Sequence, residues 1–212
     1  MIEYALYSSA DEDAMTRVLA DVFALQDPPA VAVGLLPSEF ARFVRLLCPG
    51  AGAQQLTVIA RSSKTGEVVG ALVAEDSASE LPAGMELLSP KFGPIFDILG
   101  QLDAEHRAGR TVARGESVHL FLLGVDSRFA GQGIAHGLLR ACLANAASRG
   151  YRHAVTEATN RTSQHVFRKQ GFVERVRRSY RDHRFEGRSP FTGIADHGGP
   201  ILMTKELSPP RD

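Results

Sequence analysis

Residues 117–157 constrain this chain more than any other stretch. Residues 117–125 form a nearly continuous apolar run, the pattern of a central strand buried on both faces. A turn follows over 128–135 and carries two glycines, Gly131 and Gly133. From 133 to 149 the apolar residues Ile134, Leu138, Leu139, Cys142, Leu143 and Ala146 recur at helical spacing, and Gly150 is a natural helix stop. Residues 153–157 read as the next strand. Strand, glycine turn, helix and strand make a βαβ unit, so part of the sheet is parallel. The chain therefore belongs to the α/β class.

The remaining segments are placed around that unit. Residues 4–7 read as a short strand. Residues 11–25 read as a helix, with Met15, Val18, Leu19, Val22 and Phe23 at helical spacing and Asp27-Pro28-Pro29 as its stop. Ser38 is the expected N-cap of a second helix that ends at Pro49-Gly50. The β-branched runs 56–60 and 68–74 are joined by a hairpin through 62–66, and 75–90 is a polar loop. Residues 92–106 are expected to be helical, with Pro94 in the first turn. A short helix over 163–170 is closed by Gly171, and strands at 172–182 and 201–207 flank a long glycine-bearing loop.

At 212 residues, 44% apolar and 23% charged, the chain suits one globular domain over 1–207 with a disordered tail at 208–212. No window holds the ~18 consecutive apolar residues of a membrane span. The N-terminus has no basic stretch leading into an apolar run, so a cytoplasmic protein is expected. Cys48 and Cys142 have no metal-ligand spacing and read as buried thiols. Net charge is zero, yet residues 1–106 carry 6 Lys+Arg against 15 Asp+Glu, and residues 107–212 carry 18 against 9. A basic half suits phosphates and an acidic half suits a cation, but composition alone favours the plainer reading, in which the halves attract each other or simply solvate two faces. A pI near 7.1 and cations not interleaved with aromatics argue against nucleic acid as a partner.

The turn between the central strand and its helix carries the chemistry. Small residues there let several backbone N–H groups converge on an anion, and the helix dipole adds to their field. This makes a pyrophosphate cradle. No Gly-Lys-Ser/Thr follows, which excludes a Walker A loop, and the long alternating α/β chain that a Rossmann fingerprint requires is missing. A glycine turn without a ligand is the competing reading. Placement after a strand and before a helix, with Asn160 and Gly171-Phe172 downstream, favours a ligand.

Residues 117–207 resemble the GNAT superfamily of acyl-coenzyme A N-acyltransferases, and the first half resembles it loosely. The family's phosphate motif, Gln/Arg-x-x-Gly-x-Gly/Ala, falls on residues 130–135, with Ala130 in place of the leading Arg or Gln; Arg128 fits the spacing one turn element early. Gly133-Ile134-Ala135, residues 166–172, Ala195-Asp196-His197 with residues 203–207, Gln26-Asp27-Pro28 and His119-Leu120-Phe121 resemble segments of arylalkylamine N-acetyltransferases. The resemblance implies a mixed, mostly antiparallel sheet, flanked by helices and split near its centre to bind acyl-CoA. It also implies acetyl transfer from acetyl-CoA to a primary amine by direct attack in a ternary complex, in a monomer or homodimer. A polyamine, a drug or a protein lysine is the alternative acceptor. A degenerate acyl-CoA-binding domain is the alternative of another class.

The same resemblance assigns roles to residues. Backbone groups of Leu123, Gly124 and Val125 face the acyl arm, and those of Ala130, Gly131, Gln132, Gly133, Ile134 and Ala135 face the pyrophosphate. Asn160 and Ser163 contact the pantetheine arm. Phe167 stands where many relatives have a tyrosine acid, so Ser163 or Thr159 would protonate the thiolate or orient water. Amine attack needs a base, and Asp27 and His119 are the two candidates. Each also has a purely structural reading: Asp27 as a helix stop, His119 as a core histidine and Thr159 with Ser163 as a helix cap. Period-two alternation places residues 119, 121, 123 and 125 on one strand face, which would line the acceptor tunnel.

Overall fold

A computed structural model describes residues 1–208, and the 117–125 run is the fourth of seven strands in a single sheet. In chain order the elements are β1 (Ile2–Leu6), α1 (Glu12–Gln26), α2 (Pro28–Ala32), α3 (Pro37–Gln54), β2 (Val58–Ser62), β3 (Val68–Asp76), α4 (Gly93–Arg107), β4 (Ser117–Val125), α5 (Ile134–Ser148), β5 (His153–Ala158), α6 (Arg161–Lys169), β6 (Val173–Arg177) and β7 (Ile201–Glu206). The spatial order is β1-β2-β3-β4-β5-β7-β6. Only β4 and β5 run parallel; every other neighbouring pair is antiparallel. The mixed, mostly antiparallel α/β sheet follows, with the βαβ unit at its centre. Apart from Ser208, the tail expected at 208–212 lies outside the described residues.

Each face of the sheet buries a separate core. On one face α1, α3 and α4 cover it through Leu19, Phe43, Val44, Leu47 and Ile98. On the other, α5 and α6 pack Leu138, Leu139, Cys142 and Phe167 against Leu72 and Leu120. The stripe expected on α5 is buried as its spacing requires. At Gly137 an added Cβ would fall 2.0 Å from the Tyr4 hydroxyl, so glycine alone lets α5 lie this close to β1.

Three segments differ from the sequence expectations. The second long helix is capped at Leu36, whose N–H donates to Glu39 Oε2 at 2.8 Å, and it continues through Pro49 to Gln54. Pro49 removes one internal hydrogen bond, but the buried face from Phe40 through Cys48 extends to Ala51 and holds the helix together beyond it. Asp27-Pro28-Pro29 ends α1 and at once begins α2, because two prolines fit a first turn that needs no N–H. This leaves Asp27 extended at φ −79°, ψ 119°, wedged between two helices. The strand expected at 172–182 ends at Arg177, because Tyr180 and Phe191 pair at 5.2 Å in the core and draw the following loop out of the sheet.

Candidate active site

The site originates in a failure of pairing. β4 and β5 are registered only at Ser117↔His153, Val118↔Ala154 and His119↔Val155. The last link is Thr156 Oγ1, which donates to Leu120 O at 2.9 Å. Beyond it the strands diverge, leaving a split walled by Leu123 of β4 on one side and by Ala158 and Asn160 on the other.

A β-bulge shapes the β4 wall. In the β3–β4 register Val73 meets Leu122 and Ala74 meets Leu120, so Phe121 is an extra residue. The extra residue reverses the alternation expected along β4. Phe121 and Leu122 both pack on the α1/α3 side, whereas Leu123 and Val125 pack toward α5. Residues 119, 121, 123 and 125 therefore do not share one face. Gly124 turns toward α1, where an added Cβ would lie 2.9 Å from Leu19 Cδ2.

At the open end of the split, the glycine turn forms as expected. Gly131 and Gly133 adopt φ of 76° and 73°, and a Cβ at either would meet nothing within 4 Å, so the turn faces open space. The first helical bond of α5 is from Gly137 N–H to Gly133 O, at 3.0 Å. The amides of Ile134, Ala135 and His136 precede it and have no partner within the helix. Ala130 contributes less: its N–H donates to Ser127 O at 3.1 Å and its methyl carries no polar group. Gln132 is exposed, and the Ile134 side chain is buried in the α5 core, so these two offer the turn a polar side chain and a backbone amide respectively. Arg128 does not fill the missing position, because its guanidinium is held by Asp126 and Glu67 at 2.6 Å each.

Asp27 and the start of α6 meet in the same cavity. Asp27 is 7% exposed. Its Oδ1 accepts from Thr159 Oγ1 at 2.5 Å and from Asn160 Nδ2 at 3.3 Å. Burial pushes the Asp27 carboxyl up to about 6, against the lowering effect of these hydrogen bonds. Asn160 also caps α6, its Oδ1 accepting from Ser163 N–H at 2.9 Å, while Ser163 Oγ donates to Asn160 O at 2.9 Å. Ser163 and Asn160 thus form a helix cap and line the cavity at once. Phe167 also lines it, packed against Phe172 with ring centroids 5.1 Å apart.

His119 of β4 lies between two carboxylates. Its Nε2 is 2.7 Å from Glu157 Oε2 and its Nδ1 is 3.4 Å from Glu75 Oε1. Burial opposes a charge on the ring, but Glu157 and Glu75 together outweigh it and hold the imidazole well above its usual value. Glu157 is correspondingly lowered by the imidazolium despite its own burial.

Sequence reasoning did not single out Glu75, Glu157 or the aromatic wall. Phe23 and Phe40 stack at 5.1 Å, and Phe43 contacts Phe92, Phe96 and Phe121 at 5.2–5.7 Å between centroids. All six rings line the cavity that contains Asp27. The signal lay in Phe40-x-x-Phe43 and Phe92-x-x-x-Phe96, whose helical spacing marks a buried stripe without marking a cavity behind it. Tyr180 supports the site from behind, donating its hydroxyl to Thr159 O at 2.7 Å.

Comparison with known proteins agrees with this architecture. Residues 99–184 match the model of the acetyltransferase (GNAT) domain family. The C-terminal condensation domain of Ebony, solved with beta-alanyl-dopamine, superposes with a TM-score of 0.89 at 14% identity, covering 98% of this chain and 99% of that one. Arylalkylamine N-acetyltransferase 2 from Aedes aegypti gives 0.83 at 22% identity, with coverage of 98% and 99%. The Drosophila melanogaster polyamine N-acetyltransferase, which forms N-acetylagmatine, gives 0.80 at 18% identity, with coverage of 98% and 100%. The split sheet, the glycine turn and these superpositions give this chain the GNAT fold, and the acetyltransferase (GNAT) domain model matches its residues 99–184.

Proposed function

We propose that the protein is an acyl-CoA-dependent N-acetyltransferase acting on a small primary arylalkylamine. The observation that carries this reading is a cavity whose lining joins a buried carboxylate, Asp27, to seven phenylalanine rings beside the opening between β4 and β5. The residues present fit acetyl-CoA. The amides that open α5 are unbonded within the helix, and the positive-φ glycines beside them leave space for a pyrophosphate. Acetyl-CoA would supply the activated acyl thioester, with Gly131 to Ala135 holding its phosphates and Asn160 its arm.

The chain's own residues then handle the amine. An alkylammonium in water has a pKa of about 10, far above that of Asp27. Enclosure by phenylalanine rings removes water from the ammonium and lowers its pKa toward the carboxylate. Asp27, ionised above about pH 6, attracts the incoming cation and takes its proton. In this reading His119 is not the base, because an imidazolium held between Glu75 and Glu157 has no lone pair to offer at neutral pH. Its work is to fix Glu157 at the cavity wall. Ser163, which has a hydroxyl on the same wall, is the proposed proton donor to the departing thiolate, since Phe167 has none to give; its hydroxyl turns from Asn160 O to do so and regains its proton from solvent.

A polyamine acceptor is the second reading, favoured by the two further carboxylates at Glu75 and Glu157. Both are already engaged by His119, only Glu157 of the two lines the cavity, and the rest of the lining is mostly apolar. The test is thiol release from acetyl-CoA over matched panels of arylalkylamines and polyamines. A kcat/KM at least about tenfold higher for the best arylalkylamine, roughly the value of burying one ring in an apolar site, is expected. Higher kcat/KM for polyamines would overturn the acceptor assignment, and no turnover of any amine would overturn the enzyme reading.

A further inference from the structure

A second cavity, of about 350 Å³, lies beneath the C-terminal turn of α4, at the end of the sheet opposite the glycine turn. Its floor contains Ser117 of β4, His153 and Val155 of β5 and Thr204 of β7. Ser117, His153 and Val155 belong to the three registered β4–β5 pairs, so the cavity sits behind the closed end of the split. The acyl-transfer chemistry uses none of it.

Its walls are basic. Arg107 and Arg110 reach it from α4 and the turn that follows, and Arg175 reaches it from β6. Arg107 is oriented by Asp103 at 2.8 Å and by Ser77 O at 3.2 Å, and Arg110 by Glu116 at 2.7 Å. Arg175 differs. Its Nε donates to Thr204 Oγ1 at 2.8 Å, and among the described residues no carboxylate pairs with its fork. His106 lies among the three: burial lowers its pKa, and Arg110, Arg175 and Arg107 press it further down against the pull of Asp103. Glu206 and Lys205 complete the charged lining, but Lys205 Nζ is turned to Gln170 O at 2.6 Å.

We propose that this cavity binds a small oxyanion of the phosphomonoester class, seated between Arg107 and Arg110 on one wall and Arg175 on the other. Guanidinium forks present paired N–H donors that match the oxygens of a phosphate. The volume falls within the range of small-ligand sites. Asp103, itself in the lining, and Glu116 hold two of the forks in place, and Arg175, in the same lining, has no carboxylate on its fork among the described residues. An anion there would tie α4 to β6 across the closed end of the split.

The test follows the His106 ring by NMR in the full chain while inorganic phosphate, and separately glycerol phosphate, is added at constant ionic strength. Phosphate bound at the glycine turn is too far away to move this ring. The expected result is a saturable shift of His106 with a rise in its pKa, as the anion offsets the surrounding cations. Arg175→Gln should weaken the response about tenfold or more, the usual worth of a charge-assisted hydrogen bond. Arg178→Gln, which removes a neighbouring cation paired with Glu105, should leave it unchanged. No saturable shift, an equal shift in Arg175→Gln, or a shift reproduced by chloride would each overturn the proposal.

Discussion

Asp27 and His119 show how burial alone and burial with partners drive titratable groups in different directions. Asp27 is raised because its surroundings desolvate the carboxylate more than Thr159 and Asn160 stabilise it. A carboxyl whose folded pKa exceeds its unfolded one favours the native state when protonated. That contribution is complete below the unfolded value, near pH 4, and is lost as pH rises through about 6. Asp27→Asn removes the buried charge and is expected to stabilise the protein by about 1–3 kcal/mol at pH 7.5, with no gain at pH 4. Thermal unfolding of both forms at the two pH values measures this. His119→Gln has the opposite expected effect. It leaves the half-buried Glu75 and Glu157 without their shared cation, and should cost about 1–3 kcal/mol of stability at pH 7.5. The proline stop after α1 made the position of Asp27 legible in the sequence, but its burial was not, because Thr159 and Asn160 lie more than a hundred residues away in the chain. The role of His119 was hidden for the same reason: Glu75 and Glu157 come from strands on either side of it.

At the scale of elements, β4 and the turn after it position the site. The apolar run at 117–125 and the glycines at 131 and 133 were enough to read the strand, the turn and the helix. The bulge at Phe121 was not legible, because an inserted residue leaves no mark in the apolar run 120–123; it depends on how β3 pairs. Gly124 is a consequence of that geometry, since it faces Leu19 of α1. Gly124→Ala is expected to cost about 1–3 kcal/mol through overpacking, measured by denaturant unfolding. In the turn, Gly133→Ala and Gly133→Asp carry similar strain from the positive φ, about 1–2 kcal/mol, but only the aspartate adds a negative charge. Coenzyme A binding measured by calorimetry should therefore weaken much more in Gly133→Asp than in Gly133→Ala, by about tenfold or more between them. Equal losses in the two variants would mean that the turn does not face the phosphates.

At the scale of the whole molecule, the charge division follows the architecture. The acidic first half supplies β1 to β3 and α1 to α4, including Asp27 and most of the aromatic wall. The basic second half supplies the glycine turn and α5, where an anion is expected. The two halves meet in the sheet at the β3–β4 pair, and the split between β4 and β5 lies one strand beyond that seam, within the second half. The central claim is that Asp27 takes the amine proton, and the pH dependence of kcat/KM tests it most directly. Wild type and Asp27→Asn would be compared at saturating acetyl-CoA with the best arylalkylamine found. The account predicts a wild-type limb rising through about pH 6, and in Asp27→Asn a loss of that limb with a fall of about 10²–10⁴ in kcat/KM. Wild-type kcat/KM in Asp27→Asn, with the limb intact, would contradict it.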